Sequence, residues 1–204
     1  MSRIIVLCEG DTEELAVRHF VARQWKSDGF GPVGLQHHNL KGKTQNAGKI
    51  ARLYLDEREV LAVFTLVDLQ GTIQVVHQTQ DGLDAKVQRV RTWLRGQVTH
   101  SRASQFFPHV CVHQIEAWIL AEGRQLAERL GDSQIGPDGD AELKDFQNPP
   151  SKRLNELFLR CKSRRYNKKA DGTPLFKAMQ FGAVYKSCQY FREFYDDLKA
   201  VGQR

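Results

Sequence analysis

Three short apolar runs, each followed by an acidic residue, constrain the fold of this chain more than any other feature. The runs at residues 4–8, 60–67 and 107–112 are rich in β-branched and aromatic side chains, which is typical of buried strands. Segments with the apolar spacing of helices separate them, so strands alternate with helices along the chain. This order predicts an α/β fold with a mostly parallel sheet.

Weaker patterns complete the predicted order of elements. A fourth strand is predicted at residues 33–38, which gives a sheet of about four strands. Helices are predicted at residues 13–26, 47–58, 83–98, 115–130, 151–164, from 173 onward and at 187–201, with loops at 40–48, 72–82 and 131–145. The carboxyl-terminal helices predict an appendage packed on the sheet, so we divide the chain into an α/β domain at 1–146 and a basic helical region at 147–204.

Charge is unevenly distributed between these two parts. The 204-residue chain carries a net charge of +6, with −2 in residues 1–150 and +8 in residues 151–204. A basic end on a near-neutral body predicts a polyanionic partner, whereas the alternative is a basic face that only contacts solvent. The sequence contains neither an apolar run long enough to span a bilayer nor an export signal. We therefore expect a cytoplasmic protein without membrane contact.

The four cysteines do not form a metal-binding pattern. They are Cys8, Cys111, Cys161 and Cys188, and none belongs to a Cys-x-x-Cys pair, which argues against a structural zinc site. Cys8 and Cys111 fall inside apolar runs and are predicted to be core residues. A reduced compartment is consistent with this use of cysteine.

Acidic residues follow three of the predicted strands. Glu9 follows the first strand, Asp68 ends the central strand, and Glu116 begins the helix after the last strand. The carboxyl ends of parallel strands share one edge of a sheet, where ligands bind. Clustered carboxylates need a proton or cation to offset their repulsion, and such oxygen ligands favour Mg²⁺ or Mn²⁺. Taken singly, however, each residue has an ordinary structural role at a helix start or in a turn.

Basic residues provide two candidate phosphate-binding segments. Residues 41–49 do not form a P-loop, because Ile50 stands where that motif needs Ser or Thr, but Lys41 and Lys43 suit phosphate contacts. The carboxyl-terminal region places an aromatic side chain, Tyr166, among basic ones, a pattern that suits phosphate contacts with base stacking. The candidate nucleic-acid-binding residues there are Lys152, Arg153, Arg164, Arg165 and Lys168.

Other enzyme classes find less support. There is no Gly-x-Ser-x-Gly elbow for a serine hydrolase, and Cys8 lacks an obvious neighbouring base. A small-molecule phosphotransferase using the same sheet edge would lack a glycine-rich phosphate cradle.

Five ordered motifs spread over nearly the whole chain resemble a known family. Residues 9–13, Glu-Gly-Asp-Thr-Glu, resemble the opening motif of TOPRIM domains, which occur in topoisomerases, primases and overcoming-lysogenization-defect nucleases. The closer resemblance is to a TOPRIM-like family known as domain of unknown function 4276. The remaining motifs lie at residues 67–71, at 113–118, at 150–153, and in a closing pattern of Tyr166, Lys168, Gly172, Cys188 and Phe191.

The resemblance implies a TOPRIM/Rossmann-like fold and Mg²⁺- or Mn²⁺-dependent cleavage of nucleic acid. Glu9, Asp68 and Glu116 would hold the cation with help from Glu13, and Glu9 would double as a general acid or base. Lys152 and Arg153 would bind the phosphate and stabilise developing charge, so the implied catalytic residues are Glu9, Asp68, Glu116 and Lys152. Similar proteins are encoded beside an ATPase and suspected in phage defence, so an ATPase partner is expected.

One departure from the TOPRIM pattern leaves a second reading open. Many TOPRIM domains carry Asp-x-Asp in the second motif, whereas this chain has Asp68 followed by Gln70. The neutral side chain removes one usual metal ligand, and Glu116 is the candidate replacement. The alternative is a catalytically inactive module that binds nucleic acid or a protein partner. The sequence leaves DNA or RNA as the substrate, and the oligomeric state, open.

Overall fold

A four-stranded parallel sheet forms the centre of the computed structural model, which describes residues 1–72, 82–139, 141–143 and 148–204. The spatial order of the strands is β2-β1-β3-β4, and every neighbouring pair is parallel. The strands are β1 (Arg3–Cys8), β2 (Gly34–Asn39), β3 (Val60–Asp68) and β4 (Phe106–Cys111). The predicted α/β fold with a parallel sheet of about four strands is therefore confirmed.

Helices follow the strands and then fill the carboxyl-terminal part. They are α1 (Asp11–Ala16), α2 (Ala22–Ser27), α3 (Ala47–Leu55), α4 (Leu69–Thr72), α5 (Leu83–Gly96), α6 (Glu116–Glu122), α7 (Arg124–Leu130), α8 (Pro150–Lys162), α9 (Gly172–Ala178), α10 (Phe181–Ser187) and α11 (Gln189–Gly202). A π-helical turn at Val17–Val21 joins α1 to α2, so this segment is one continuous helix, as predicted. No helix in the described ranges is both long and apolar enough to cross a bilayer.

The register of the sheet aligns the strand ends on which the functional prediction depends. Cys8 at the end of β1 pairs with Asn39 of β2 and Leu66 of β3, and Asp68 at the end of β3 pairs with Cys111 of β4. All four strands therefore end at one edge of the sheet. The residues that follow them are brought together although they are far apart in the sequence.

Side-chain alternation along the strands builds a separate core on each face of the sheet. Val6 of β1 and Phe64 of β3 face one side, where they share a cluster with α1, α2, α6 and the helices α8 to α11. Ile5 and Val63 face the other side, against α3 and α5. Cys8 and Cys111 are both buried, which confirms the prediction that they are core residues.

Two details of the predicted secondary structure are wrong. The helix predicted at 115–130 is two helices, because Gly123 adopts a positive φ of 61° where the backbone of Gly136 approaches too closely for any side chain. The prediction also missed α10, which lies between the helix that starts at 173, observed as α9, and the final helix at 187–201, observed as α11.

The predicted loops lie only partly within the described residues. In the loop predicted at 72–82, residues 73–81 lie outside them, as do 140, 144 and 145 of the loop at 131–145. Residues 146 and 147, at the predicted domain boundary, also lie outside the described residues. The part of that second loop that is described is not simply a surface loop, because Ala141 and Glu142 are buried. Glu142 accepts hydrogen bonds from the N–H groups of Tyr190 (3.0 Å) and Phe191 (3.3 Å) and so caps α11.

Two glycine substitutions test the packing of α3 against the end of α5. A Cβ atom on Gly48 would lie 2.6 Å from the carbonyl oxygen of Gln97 and would also overlap Gln97 Cβ, whereas a Cβ on Gly96 meets nothing. We expect Gly48→Ala to lower the free energy of unfolding by about 1–3 kcal/mol through overpacking. Gly96→Ala, the matched control, should leave it unchanged or raise it by up to about 1 kcal/mol. Urea unfolding measures both, and equal effects would contradict this packing.

Candidate functional site

The site lies where the strand order reverses. From β1 the chain crosses to β2 on one side, and the next strand, β3, lies on the other side of β1. In sheets of this topology the usual ligand position is the crevice between the carboxyl ends of the two strands that flank the reversal, which here are β1 and β3. Glu9 and Asp68 stand on its two sides, as the sequence predicts.

Glu9 is held against the end of the neighbouring strand. Its Oε2 accepts a hydrogen bond from the N–H of Asp68 at 2.9 Å. A Cβ atom on Gly71 would lie only 2.8 Å from Glu9 Oε1, so the glycine of the second motif makes room for this carboxylate. Burial raises the pKa of Glu9, and the hydrogen bond from Asp68 offsets part of the rise.

Glu13 lies one helical turn beyond Glu9 and points back into the crevice. Its Oε2 accepts a hydrogen bond from the N–H of Gly10 at 2.8 Å, at the start of α1. The side chain is buried. Burial, together with the nearby charges of Glu116 and Glu9, raises the pKa of Glu13 from 4.5 to about 7.

Asp68 and Glu116 contribute buried carboxylate oxygens that lack hydrogen bonds. Glu116 is fully buried, and neither of its two oxygens has a hydrogen-bond partner in the described part of the chain; the same holds for Asp68 Oδ1. Burial raises the pKa of Asp68 well above its usual range, and the charges of Glu13 and Glu116 raise it further. Apart from an ion pair of Glu116 Oε1 with Lys168, these buried oxygens lack partners in the described part of the chain. Such oxygens are costly, so they point to a ligand.

Lys168 supplies a positive charge to this cluster. The loop at residues 163–171, between α8 and α9, places its Nζ 3.2 Å from Glu116 Oε1, with half of the side chain still exposed. Burial lowers the pKa of Lys168, but the charges of Glu116 and Glu13 outweigh this effect and the net shift is upward. The next residue, Lys169, pairs with Asp11 of α1 at 3.1 Å.

The donor set suits a hard divalent cation. Glu9, Glu13, Asp68 and Glu116 offer only carboxylate oxygens, and three of these oxygens are buried without hydrogen bonds. Within the ranges that the structure describes, however, no three acidic, histidine or cysteine side chains converge into a ready-made metal site. The chemistry of these residues fits Mg²⁺ or Mn²⁺. Their spacing in this structure, however, is that of carboxylates whose negative charge is balanced by Lys168.

The loop after β2 brings the first pair of predicted nucleic-acid-binding residues to the same edge. The N–H of Gly42 donates to the backbone oxygen of Glu9 at 2.8 Å, which ties the loop to the end of β1. Lys41 and Lys43 flank this contact, and both are exposed. Lys41 adopts a positive φ of 53°, an unfavourable conformation for a residue with a Cβ.

The start of α8 is anchored beside the third motif. The N–H of Ser151 donates to Gln114 Oε1 at 3.1 Å, so the motifs at 113–118 and 150–153 are in direct contact. Lys152 is exposed and has no partner among the described residues. Arg153 forms an ion pair with Asp138 of the loop after α7. The carboxylate cluster is thus contacted by Lys168, and not by Lys152, to which the sequence assigned the catalytic role.

The remaining basic residues are less uniform than their sequence pattern indicates. Arg165 is exposed, whereas Arg164 binds Asp171 through both of its terminal nitrogens, at 2.6 and 2.7 Å. Tyr166 is only 8% exposed and packs against Phe158, with 5.4 Å between the ring centroids. The prediction that Tyr166 stacks on a base is therefore wrong, because its ring is part of the core.

Three contributors to the site were missed from the sequence. Gln114 lies within a recognised motif, but its contact with Ser151 depends on the tertiary structure. Asp171 precedes a glycine and resembles an ordinary turn residue, although it is fully buried. Arg129, its second partner at 2.8 Å, lies in a different helix and carries no local signal.

Comparison with known proteins places the chain among others of this fold. A family model described as a domain of unknown function (DUF4276) matches residues 8–199. No curated protein matches the chain. Among solved structures, the C-terminal region of the Burkholderia pseudomallei OLD protein is 17% identical over 99% of both chains, with a TM-score of 0.52. The corresponding region of the Xanthomonas campestris pv. campestris OLD protein is 16% identical over 98% of both chains, with a TM-score of 0.45.

The Burkholderia protein is similar in fold, and this similarity confirms the predicted TOPRIM-like arrangement. It agrees with the parallel sheet and the carboxyl-terminal helices described above. At 17% identity it assigns no residue a role, so the roles of the site residues stay predictions.

The pH dependence of stability tests the buried position of Glu13. Because its pKa is higher in the folded chain than in the unfolded one, its contribution to stability is full below pH 4.5 and is lost as the pH rises to about 7. We expect Glu13→Gln to raise the free energy of unfolding by on the order of 2 kcal/mol at pH 8, and to leave it nearly unchanged at pH 4.5. Urea unfolding in EDTA across this range measures the difference.

Glu128→Gln is the matched control, because Glu128 is exposed and, among the residues that the structure describes, pairs with Arg124 of the same helix alone. The free energy of unfolding of this variant should vary with pH in parallel with that of the unsubstituted protein. A Glu13→Gln profile that is also parallel would contradict the burial of Glu13 described here.

Proposed function

This chain belongs to the DUF4276 family, and from that premise and the site geometry we propose that it is a divalent-metal-dependent phosphodiesterase acting on nucleic acid. The observation that carries the proposal is the set of buried carboxylate oxygens without hydrogen bonds at the sheet's switch point. They face a lysine at the same edge. Acidic ligands beside a basic group suit a phosphodiester, whose anionic phosphate needs both a cation and hydrogen-bond donors.

The carboxylates provide the cation site in this proposal. Glu9, Asp68 and Glu116 are the ligands, with Glu13 in support, because these four come from separate elements and meet in one crevice. When bound, Mg²⁺ or Mn²⁺ supplies charge neutralisation at the phosphate and activation of a water. Glu9 is the candidate general acid or base, as the family resemblance implies.

Lys168 is the candidate phosphate-binding residue nearest to the carboxylates. Its ammonium group already lies 3.2 Å from Glu116 Oε1, and half of the side chain remains accessible to a substrate. We assign it the electrostatic role that the sequence gave to Lys152. Lys152 stays a candidate for a more distant phosphate because it is exposed at the start of α8.

Exposed lysines extend the basic surface away from the crevice. Lys41 and Lys43 lie on the loop that is tied to Glu9, and Arg165 is exposed on the loop that carries Lys168. Phosphate contacts of this kind supply affinity without sequence specificity. The proposed substrate therefore runs across the carboxyl edge of the sheet, over the crevice.

A second candidate function is a catalytically inactive module that binds nucleic acid or a protein partner. Gln70 in place of an acid supports it, as does the lack of a ready-made three-ligand metal site among the residues described. In that case Lys168 would serve as a permanent counter-charge for Glu116. The two candidates differ in whether metal and the carboxylates matter for turnover.

The cellular setting is also proposed by resemblance. Related families suggest an effector of an ATPase-linked defence against phage, acting in the cytoplasm with an ATPase partner. The site described above requires neither the partner nor the defence role, and both stand apart from the chemistry proposed here.

Carboxylate substitutions test the phosphodiesterase proposal. We expect the purified protein to cleave DNA or RNA in Mn²⁺ or Mg²⁺, and Asp68→Asn or Glu116→Gln to reduce the rate by about 100-fold or more, because each removes a ligand charge. Gel assays of linear and supercoiled DNA and of single-stranded RNA measure the cleavage. Asp56→Asn, at an exposed carboxylate after α3, is the matched control and should cleave normally.

Nucleic-acid binding without cleavage, retained in both carboxylate variants, would favour the inactive module. Cleavage that is equal in the variants and in EDTA would contradict the proposed phosphodiesterase.

Lys41→Gly tests the path of the substrate. Glycine accepts the positive φ of this position without strain, so we expect unchanged or slightly higher stability. Loss of one phosphate contact should weaken binding uniformly across sequences and reduce the slope of log K against log salt by about 1. Fluorescence anisotropy at several salt concentrations measures this. Lys26→Ala, in the helix before β2 at the opposite edge, is the control, and an equal loss there would contradict the path.

A further inference from the structure

We propose that Asp171 is a positioning residue that holds Lys168 at the carboxylate cluster. The proposal rests on the proposed function in one respect, namely that Lys168 meets the substrate phosphate. Its structural part stands on the contacts of the loop at residues 163–171. Asp171 is fully buried at the end of that loop, and Lys168 lies three residues before it.

Each carboxylate oxygen of Asp171 accepts two hydrogen bonds. Oδ1 accepts hydrogen bonds from Nη2 of Arg129 at 2.8 Å and from Nη2 of Arg164 at 2.7 Å. Oδ2 accepts from Nη1 of Arg164 at 2.6 Å and from the backbone N–H of Asn167 at 2.9 Å. One carboxylate therefore joins helix α7, the start of the loop and the middle of the loop. Charge-assisted and bidentate bonds of this kind fix geometry as well as adding stability.

Asn167 closes the loop around Lys168 from the other direction. Its backbone oxygen accepts from the N–H of Asp171 at 2.8 Å. Its side-chain oxygen accepts from the N–H groups of Lys169 at 3.0 Å and Ala170 at 2.8 Å. Lys168 thus sits within a tight turn whose two ends are Asn167 and Asp171, and the direction of its side chain follows from that turn.

The residues packed beneath the loop are equally constrained. Tyr166 is buried beneath it, and a Cβ atom on Gly172 would lie 2.8 Å from the Tyr166 hydroxyl oxygen. On its other side, the loop contacts two helices, because Lys168 pairs with Glu116 of α6 and Lys169 pairs with Asp11 of α1. The exposed pair of Lys169 and Asp11 is weak by itself, so the order of Lys168 depends on its own pair with the buried Glu116 and on the backbone that carries it.

Charge explains why an acid is needed at this position. Arg129 and Arg164 converge on Asp171, and without its carboxylate the two guanidinium groups would repel each other beside Lys168. The loop would open, and Lys168 would lose its fixed approach to Glu116. Asp171 would act on the reaction only through Lys168, and not by touching the substrate.

A double-mutant cycle distinguishes positioning from a general loss of stability. We expect Lys168→Ala and Asp171→Asn each to lower kcat by about 10- to 100-fold, as displaced catalytic groups do, with KM changed less than about threefold. The double variant should be no slower than Lys168→Ala, because both substitutions remove the same interaction. Asp132→Asn, which breaks the comparable Arg160 pair on α8, is the control and should leave kcat unchanged. Effects of Asp171→Asn and Lys168→Ala that multiply would overturn the proposal.

Hydrogen exchange separates this proposal from the proposed function. In Asp171→Asn, and to a smaller degree in Arg129→Gln, the N–H groups of Lys169, Ala170 and Asp171 should exchange at least tenfold faster, whereas Asp132→Asn should not change them. If the protein cleaves nothing, the phosphodiesterase proposal fails and this measurement alone decides the positioning. Unchanged exchange in both Asp171→Asn and Arg129→Gln would overturn it. Arg129→Gln retains the Arg164 pair and serves if Asp171→Asn does not fold.

Discussion

The burial of several carboxylates beside one another at the switch point is the constraint on which the rest of this structure depends. Each loses hydration on folding and raises the free energy of its neighbours' charged forms. The chain offsets part of that cost with the N–H groups of Asp68 and Gly10 and with the ammonium group of Lys168. Both oxygens of Glu116 and one of Asp68 are still left without hydrogen bonds in the described part of the chain. An arrangement this costly is best explained by a ligand that these groups meet.

The same constraint accounts for the carboxyl-terminal helices. The counter-charge for the crevice comes from the loop between α8 and α9, so the carboxyl-terminal helices must pack onto the sheet to complete the site. Other basic residues of this region also pair with acids, as Arg153 does with Asp138 and Arg164 with Asp171. The opposite net charges of the two parts of the sequence are therefore partly neutralised inside the molecule. Fewer unpaired basic side chains are therefore left to bind a polyanion than the net charge of +8 in the carboxyl-terminal part indicates.

The sequence predicts what depends on periodicity and topology, and misses what depends on contacts between loops. The strands were predictable because β-branched runs separated by helices require a parallel sheet, which brings Glu9, Asp68 and Glu116 to one edge. The break between α6 and α7 at Gly123 was not predictable, because it follows from the close approach of the Gly136 backbone. It was also not predictable that Lys168, and not Lys152, contacts the carboxylate cluster. This contact depends on Asp171, whose partner Arg129 lies in another helix.

The neutral residue in the second motif follows from the same balance of charge. A carboxylate at position 70 would add another negative group two residues from Asp68, whose pKa is already raised by burial and by Glu13 and Glu116. Gln70 avoids that repulsion, and an amide retains an oxygen that suits a hard cation. Gln70 therefore leaves the cluster with less negative charge. Lys168 offsets that smaller charge more fully when no cation is bound. In the proposed metal site, Gln70 in place of an acid would weaken the affinity for a cation without removing the preference for one.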